Sequence, residues 1–327
     1  MAGTIRWGIL ATGGIAHAFA SDLVANGHTV TAVGSRSQQS ADAFAAEYGI
    51  PNAHPSYEAL VADPEVDIVY VSTPHPLHAE NAKLALNAGK HVLIEKPITI
   101  NAREAREVVD LAAEKNLLVL EAMWTRFLPH MVRIREIIAS GALGEVRSII
   151  ADHTQKISDD PAHRLNDLAL GGGALLDLGI YPISFSSQVF GTPQTIHASA
   201  SLRQTGADAQ VATIFHYADG QIATTLSSSN TRGPNTASVI GTEGRIDIDS
   251  VWYTATTFRV YDAEGAVVES YESTVLGRGM QYQAAEAEGL IEAGSIASTI
   301  LSPEESVSIM QILDTVREQI GVRYPGE

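Results

Sequence analysis

The chain contains no cysteine, and this absence excludes several kinds of chemistry. It can form no disulfide, no thiolate nucleophile and no zinc–thiolate site. Histidines are present but follow no paired ligand spacing, so we predict no metal site. We interpret His28, His54, His153 and His163 as structural or exposed residues.

Positive charge is scarce, since 21 Lys and Arg residues stand against 38 Asp and Glu residues and the formal net charge is −17. A nucleic acid or an anionic membrane would meet a repulsive mean field, and we expect neither as a partner. A small phosphorylated ligand is compatible with this charge, because one local basic group is enough to bind it.

Long apolar runs are also absent. No run approaches the length needed to cross a bilayer, and residues 4–10 are strand-like without a basic leader before them. We therefore expect a cytoplasmic protein.

A chain of 327 residues, 45% of them hydrophobic, is long enough for two domains. Residues 1–122 alternate apolar strand-like runs with amphipathic helical segments. This pattern favours an α/β fold with a doubly wound (Rossmann) parallel sheet in the first domain. The predicted strands are 4–10, 30–35, 66–72, 91–95 and 117–120.

The pattern changes after Trp124, and residues 123–327 are predicted to form an α+β domain with a large, mostly antiparallel open sheet. The closing helix could pack back on the first domain. The predicted helices are 130–139, 281–292 and 303–320, and the predicted strands are 146–154, 195–203, 210–217, 221–228, 237–240, 245–248, 257–261 and 266–271.

A turn rich in small residues follows the first predicted strand and precedes a helix. Such a turn lets the backbone approach a pyrophosphate, whose charge is met by N–H groups at the helix N-terminus. Compared with G-x-G-x-x-G, the first and third glycines are alanines, and a purely structural tight turn is the alternative. The turn consists of Ala11, Thr12, Gly13, Gly14, Ile15 and Ala16.

The second predicted strand ends at Ser35 and is followed by Arg36, with no acid until Asp42. An NAD-specific site would place Asp or Glu here for the ribose 2′-hydroxyl. A guanidinium and a hydroxyl instead suit a 2′-phosphate, so NADP is favoured over NAD. The alternative is that Arg36 is a solvated residue at a helix start.

Two further loops follow predicted strands, and ligands of open parallel sheets bind at these strand ends. One contains Thr73, Pro74, His75 and His78. The other contains Glu95 and Lys96. We predict that both loops contact the cofactor, although a loop His is more often a plain hydrogen-bonding residue and a Lys after a strand is often only solvated.

Three glycines, 171–173, precede a helical segment that contains Asp177 and Tyr181. At this spacing the two side chains would share a helix face, and a Tyr beside an ammonium would have its phenolate favoured, as a general acid/base requires. Pro182 suggests that the helix begins close to Tyr181. The alternative is an Asp cap and a core Tyr.

The junction after the last parallel strand carries Trp124, Arg126 and Phe127. These side chains could line a pocket for a cyclic polyol or an aromatic ring. They could equally form a packing plug between domains.

With these motifs in this order, nearly the whole chain resembles the glucose–fructose oxidoreductase/inositol dehydrogenase (Gfo/Idh/MocA) family. It is similar to the branch containing dimeric dihydrodiol dehydrogenase and NADP-dependent D-xylose dehydrogenase, on Trp-Thr-Arg-Phe at 124–127 and Asp-x-Gly-x-Tyr at 177–181. The resemblance implies that Lys96 is the catalytic lysine and Tyr181 the proton donor and acceptor. It implies a substrate pocket containing Asp177, Trp124, Arg126 and Phe127, and we count Asp177 among the catalytic residues as well. In the dihydrodiol branch an aromatic residue is expected near the position of His153, and this departure argues against aromatic diols as substrates.

These observations predict an NADP-dependent oxidoreductase that transfers a hydride between nicotinamide and a secondary alcohol or hemiacetal of a sugar, cyclitol or trans-dihydrodiol. The resemblance also implies a homodimer or tetramer formed through the C-terminal sheet. Two alternatives remain open, a reductase of keto-sugars such as an anhydrofructose-like ketone and a catalytically silent NADP-binding regulator.

Overall fold

The structure, a computed structural model, describes residues 5–327. These divide into two compact units, one running to Trp124 and including Leu276–Val307, the other formed by Thr125–Val275 and Ser308–Glu327. The domain boundaries at 1–122 and 123–327 stay a prediction. Thr4, included in the first predicted strand, lies outside the described residues.

Six parallel strands form the sheet of the first unit in the order β3-β2-β1-β4-β5-β6. The doubly wound Rossmann sheet is therefore confirmed. The three-residue strand Asn52–His54 was not predicted, because so short a run shows no periodicity in the sequence. The strands are β1 (Arg6–Leu10), β2 (Thr29–Gly34), β3 (Asn52–His54), β4 (Ile68–Val71), β5 (His91–Glu95) and β6 (Val119–Ala122).

Helix starts follow local capping chemistry. The side chains of Ser37, Ser56 and Asn101 each accept a backbone N–H from the first turn of the helix that follows. The helices are α1 (Gly14–Ala25), α2 (Gln38–Tyr48), α3 (Tyr57–Val61), α4 (His78–Asn87), α5 (Ala102–Glu114), α6 (Pro129–Ala139), α7 (Ile180–Phe190), α8 (Gln281–Glu292) and α9 (Pro303–Ile320).

The core of the first unit is built on aromatic contacts between α1 and the sheet. Phe19 stacks on Tyr70 with ring centroids 3.9 Å apart and meets Trp7 edge-on at 5.3 Å. Helix α8 joins this core through Glu288. Its carboxylate accepts a hydrogen bond from the Trp7 indole at 2.7 Å and lies 2.8 Å from His28 Nδ1. A segment far along the chain thus completes the first unit.

Eight strands form the sheet of the second unit, in the order β14-β13-β12-β11-β7-β10-β9-β8. Only β7 and β10 pair in parallel, so the mostly antiparallel sheet is confirmed. The strands are β7 (Val146–Thr154), β8 (Thr195–Leu202), β9 (Asp208–His216), β10 (Ile222–Ser228), β11 (Ala237–Gly241), β12 (Gly244–Ile248), β13 (Phe258–Asp262) and β14 (Val267–Tyr271).

The two faces of this sheet differ. Ile149 and Phe215 belong to the buried face, whereas the neighbouring Ile150 and Ile214 are 55% and 44% exposed. The edge strand β8 is protected by Gln319 of α9, whose side-chain amide donates to Ile196 O and accepts from the Ala198 N–H, both at 2.8 Å.

One helical stretch, Leu168–Phe190, is long and apolar enough to cross a membrane by length and composition. The expectation that no apolar run approaches this length was wrong. Of its apolar 18-residue window, 83% is buried inside the protein, as in the core helix of a globular protein, so the stretch is weak support for a membrane span.

Candidate active site

The carboxyl ends of β1, β2, β4 and β5 lie along one edge of the parallel sheet, which we call the nucleotide edge. It carries residues 11–15, 35–36, 73–75 and 95–96. Adjacent loops are joined by backbone bonds, from Ala11 N–H to Gly34 O at 3.0 Å and from Ser72 N–H to Leu10 O at 3.1 Å. The fold therefore brings the predicted cofactor loops together.

The glycine turn has open space in front of it. A Cβ added to Gly13 or Gly14 would meet no atom within 4 Å, and neither residue has a positive φ. The fold itself does not require glycine here, but a closely approaching ligand would. The first turn of α1 has no acidic residue, and its N–H groups lack intrahelical acceptors, so a pyrophosphate fits this turn.

The two alanines of the fingerprint have different environments. Ala11 takes φ +86°, a region in which a non-glycine residue costs about 1 kcal/mol. Ala16 is completely buried in α1, where a small side chain allows close packing. The loop geometry that glycine normally serves is thus retained with alanine.

Arg36 is exposed at the end of β2, and its guanidinium hydrogen-bonds the phenol of Tyr57. That contact lowers the pKa of Tyr57, although burial outweighs it and the pKa is raised overall. Ser35 is buried, and its N–H donates to His54 O at 3.2 Å. A solvent-facing guanidinium held beside this strand end is compatible with a phosphate ligand.

His78 lies inside the protein, beneath the nucleotide edge. Its Nδ1 is 2.7 Å from Pro97 O and its Nε2 is 2.8 Å from Thr73 O, and the ring is fully buried. Burial lowers its pKa to about 4, and the nearby charge of Lys96 acts in the same direction. His78 therefore connects the loop after β4 to the loop after β5. His75 lies in the loop after β4 and is also buried, at 7% exposure.

The backbone that presents Lys96 is held by two buried carboxylates. Glu95 accepts a very short hydrogen bond from Tyr70 and a 3.2 Å bond from the Lys96 N–H. Glu121 accepts the Ile98 N–H at 3.1 Å. Lys96 itself is partly exposed, so its ammonium is positioned by a rigid loop rather than buried in the core.

Tyr181 of the second unit lies in a group of side chains that we call the tyrosine cluster. It consists of the rings of Tyr181, His153 and Tyr253 and the amide of Gln155. His153 stacks on Tyr253 with centroids 3.6 Å apart and meets Tyr181 edge-on at 4.8 Å. The Gln155 amide lies 2.9 Å from His153 Nε2 and 3.3 Å from the Tyr253 hydroxyl. Burial raises the pKa of Tyr253 to about 12, so this phenol stays protonated.

The helix that carries Tyr181 begins in a special way. Leu175–Gly179 forms a turn of π-helix, a feature found often at functional sites, and continues into α7. The helix thus passes through Pro182 instead of starting at it, and only its α-helical part begins near Tyr181 as predicted. Asp177 is buried, with its carboxylate 3.3 Å from the guanidinium of Arg164.

The predicted pocket residues of the junction form a short 3₁₀ turn, Trp124–Phe127. Arg126 is only 2% exposed, and its guanidinium donates to the hydroxyl and carbonyl oxygens of Ser184 at 2.8 and 2.6 Å. It therefore supports α7. Trp124 and Phe127 are buried as well, at 7% and 4% exposure.

Sequence reasoning gave no site role to Gln155, Tyr253 or Thr125, and interpreted His153 as a structural or exposed residue. The Thr125 hydroxyl donates to Tyr253 O at 2.6 Å and so holds the backbone that carries the Tyr253 ring. These residues come from three distant segments, and only the alternation of β7 could have indicated that His153 faces inward. Within residues 5–327, no group of three or more metal-ligating side chains is found.

A parallel six-stranded sheet with an open glycine turn, accompanied by a second unit with a buried tyrosine cluster, defines a dinucleotide-binding oxidoreductase fold. The chain belongs to the GFO/IDH/MocA oxidoreductase family. Residues 5–123 match the family model for the NAD-binding Rossmann fold, and residues 131–247 match the GFO/IDH/MocA C-terminal domain. The resemblance found from the motifs is therefore confirmed.

Trans-1,2-dihydrobenzene-1,2-diol dehydrogenase of Mus musculus is 36% identical over 98% of both chains. A 3-ketoreductase from Actinomadura kijaniata, in complex with TDP-benzene and NADP, is 26% identical, covers 97% of this chain and 98% of its own, and has a TM-score of 0.82. Aldose-aldose oxidoreductase from Caulobacter crescentus has the same fold, with 24% identity, a TM-score of 0.87 and coverage of 96% and 97%. The protein is an NAD(P)-dependent oxidoreductase acting on hydroxyl groups.

Proposed function

We propose that the protein uses NADP and transfers a hydride to or from a secondary alcohol or hemiacetal carbon of a sugar, cyclitol or trans-dihydrodiol. The observation that carries this proposal is the nucleotide edge, which combines an open glycine turn at Gly13 and Gly14 with a solvent-facing Arg36. When bound, the nicotinamide supplies the hydride chemistry. Arg36 and Ser35 would hold the 2′-phosphate, and residues 11–15 the pyrophosphate.

In this proposal Thr73, Pro74, His75 and Glu95 shape the cofactor loops. His78 is proposed to hold the loops after β4 and β5 together, because its two ring nitrogens face the carbonyl oxygens of Thr73 and Pro97. Lys96 and Tyr181 are the catalytic residues. Tyr181 exchanges the substrate hydroxyl proton, and the Lys96 ammonium favours its phenolate form.

The tyrosine cluster supports a hydroxyl-rich substrate over an aromatic diol. His153 lies next to Tyr181, and Gln155 lies beside His153, so both offer hydrogen-bonding groups in this cluster, where a purely apolar lining would suit a flat ring better. Asp177, Trp124 and Phe127 are proposed to line the same substrate pocket, with Arg126 holding α7. The likeness to a 3-ketoreductase supports a second candidate, the reduction of a keto-sugar by the same residues.

The cofactor assignment is tested by steady-state kinetics with NADP and NAD. Arg36→Ala should raise the KM for NADP at least tenfold and leave the KM for NAD nearly unchanged, because only the 2′-phosphate loses its partner. Arg103→Ala is the matched control, since its side chain is 65% exposed on α5. An unchanged NADP preference in Arg36→Ala would show the assignment to be wrong.

The catalytic assignment is tested with a panel of aldoses, cyclitols, trans-dihydrodiols and keto-sugars. Tyr181→Phe should abolish turnover while NADP binding, measured by fluorescence titration, is retained. Lys96→Met should lower kcat and, in alcohol oxidation, move the pH at which the rate rises upward, because the phenolate form of Tyr181 is then less favoured. Tyr261→Phe, on β13, serves as a control. NADP binding without turnover of any compound by the parent protein would favour the silent-regulator alternative.

We propose a homodimer or tetramer formed through the exposed face of the second unit's sheet. Ile150 and Ile214 are both exposed on this face, and each pairs with Thr224 of β10. Sedimentation velocity should show an oligomer that Ile150→Lys with Ile214→Lys converts to monomer. We also propose a cytoplasmic location, to be checked by cell fractionation.

A further inference from the structure

The three-glycine loop before the π-helical turn is tightly constrained. Gly171 and Gly173 have φ values of +70° and +133°, which favour glycine. A Cβ on Gly172 would lie 2.7 Å from the carbonyl oxygens of Arg164 and Asp167. The loop therefore packs closely against the backbone of residues 164–167. We infer that this packing determines where the helix carrying Tyr181 begins.

A buried carboxylate lies against this loop. Asp208, at the start of β9, has no exposed surface, and its Oδ2 accepts the Leu175 N–H at 2.7 Å. A Cβ on Gly173 would come within 2.1 Å of its Oδ1. Burial raises the pKa of Asp208 to about 6, against the opposing effect of the N–H groups of Leu175 and Ala174. The carboxyl group thus acts as a cap for the first turn of the helix.

The other side of the loop is held by Tyr324. Its hydroxyl donates to Gly172 O at 3.0 Å, and its ring is buried. The Arg317 guanidinium lies 4.8 Å from the ring centroid and is paired with Glu327 at 2.6 Å. These contacts fix the segment that carries Tyr324, so the hydrogen bond to Gly172 has a rigid donor.

We propose that Asp208 and Tyr324 are positioning residues for hydride transfer, acting through the glycine loop to place Tyr181. This inference rests on the proposed role of Tyr181. Neither residue lies in the described contacts of the tyrosine cluster, and their effect is carried by the backbone from Gly172 through Leu175 into α7. No sequence motif marks them, because they come from β9 and from the segment after α9.

The test uses Tyr324→Phe, which removes one hydroxyl and leaves the ring. With the best substrate of the panel, kcat should fall at least fivefold while the KM for NADP stays within twofold and the Tm within about 2 °C of the parent. Hydrogen exchange of peptides covering 171–181 should be at least fivefold faster. Tyr217→Phe is the matched control, a buried phenol in the same unit that packs on Phe190.

A Tyr324→Phe protein with parental kcat and parental exchange at 171–181 would overturn the inference. So would an equal fall of kcat in Tyr217→Phe. If Tyr324→Phe does not fold, Asp208→Asn and Asp208→Ala are compared by the same readouts. The amide of Asn keeps one acceptor for the Leu175 N–H, so Asp208→Asn should retain more activity than Asp208→Ala. If the parent turns over no substrate, the proposed function fails, whereas faster exchange at 171–181 still reports the loop contact.

Discussion

Lowering the pH should destabilise the second unit through His130, a buried histidine on α6. Its side chain has no exposed surface, and Nε2 lies 3.2 Å from Trp252 O. Nδ1 is buried without a hydrogen-bond partner among residues 5–327. A second N–H, as in the imidazolium, would therefore have no acceptor, and burial lowers the pKa of His130 from 6.5 to about 4.

The direction and size of the effect follow from linkage. Below pH 6.5 the unfolded chain binds a proton at this histidine, whereas the folded protein does not until about pH 4. The stability contributed by neutral His130 is therefore present at pH 7 and is lost as the pH falls. The loss of unfolding free energy is about 2 kcal/mol at pH 5 and about 3 kcal/mol below pH 4.

The assay compares urea unfolding of the parent and of His130→Gln at pH 7 and pH 5. The variant is expected to be less stable at pH 7, because packing is lost, but its loss between the two pH values should be smaller by about 2 kcal/mol. His78, with its pKa also lowered to about 4 by burial, contributes equally to both proteins and cancels in the difference.

Exposed His197 provides the control, since His197→Gln should stay within about 0.5 kcal/mol of the parent at pH 7. An equal loss of unfolding free energy in the parent and in His130→Gln between pH 7 and pH 5 would refute the reasoning. It would mean that the buried ring does not differ in proton affinity from the same ring in the unfolded chain.

Three further substitutions test local features of the fold by urea or thermal unfolding. Ala11→Gly should raise the unfolding free energy by about 0.5–1 kcal/mol, because φ +86° suits glycine, and a loss of stability would contradict the strain. Arg126→Met should lower it by about 3 kcal/mol, since Ser184 loses its buried donors, and a neutral effect would speak against this support of α7. Gly34→Ala should cost about 2 kcal/mol, because the new Cβ would lie 2.7 Å from Leu60 Cβ of α3, and an unchanged unfolding free energy would contradict this close packing.

Much of the first unit was predictable because its information is local. Strand and helix periodicity, and capping residues such as Ser37 and Asn101, act within a few positions of the chain. The parallel sheet brings its strand ends to one edge, so Gly13, Arg36 and Lys96 could be predicted as cofactor-contacting residues from their positions. Helix α8 was predicted as a helix, but its packing with β1 and α1 depends on contacts such as that between Glu288 and Trp7 across most of the chain.

By itself, the sequence determined the fold class, the family and the order of the motifs, because these depend on periodicity and on residue types at fixed spacing. Only the tertiary structure decided that His153 stacks on Tyr253 beside Tyr181, and that Asp208 and Tyr324 hold the glycine loop. Such contacts join segments separated by tens to more than a hundred residues. No local preference encodes them, since each depends on how the whole unit packs.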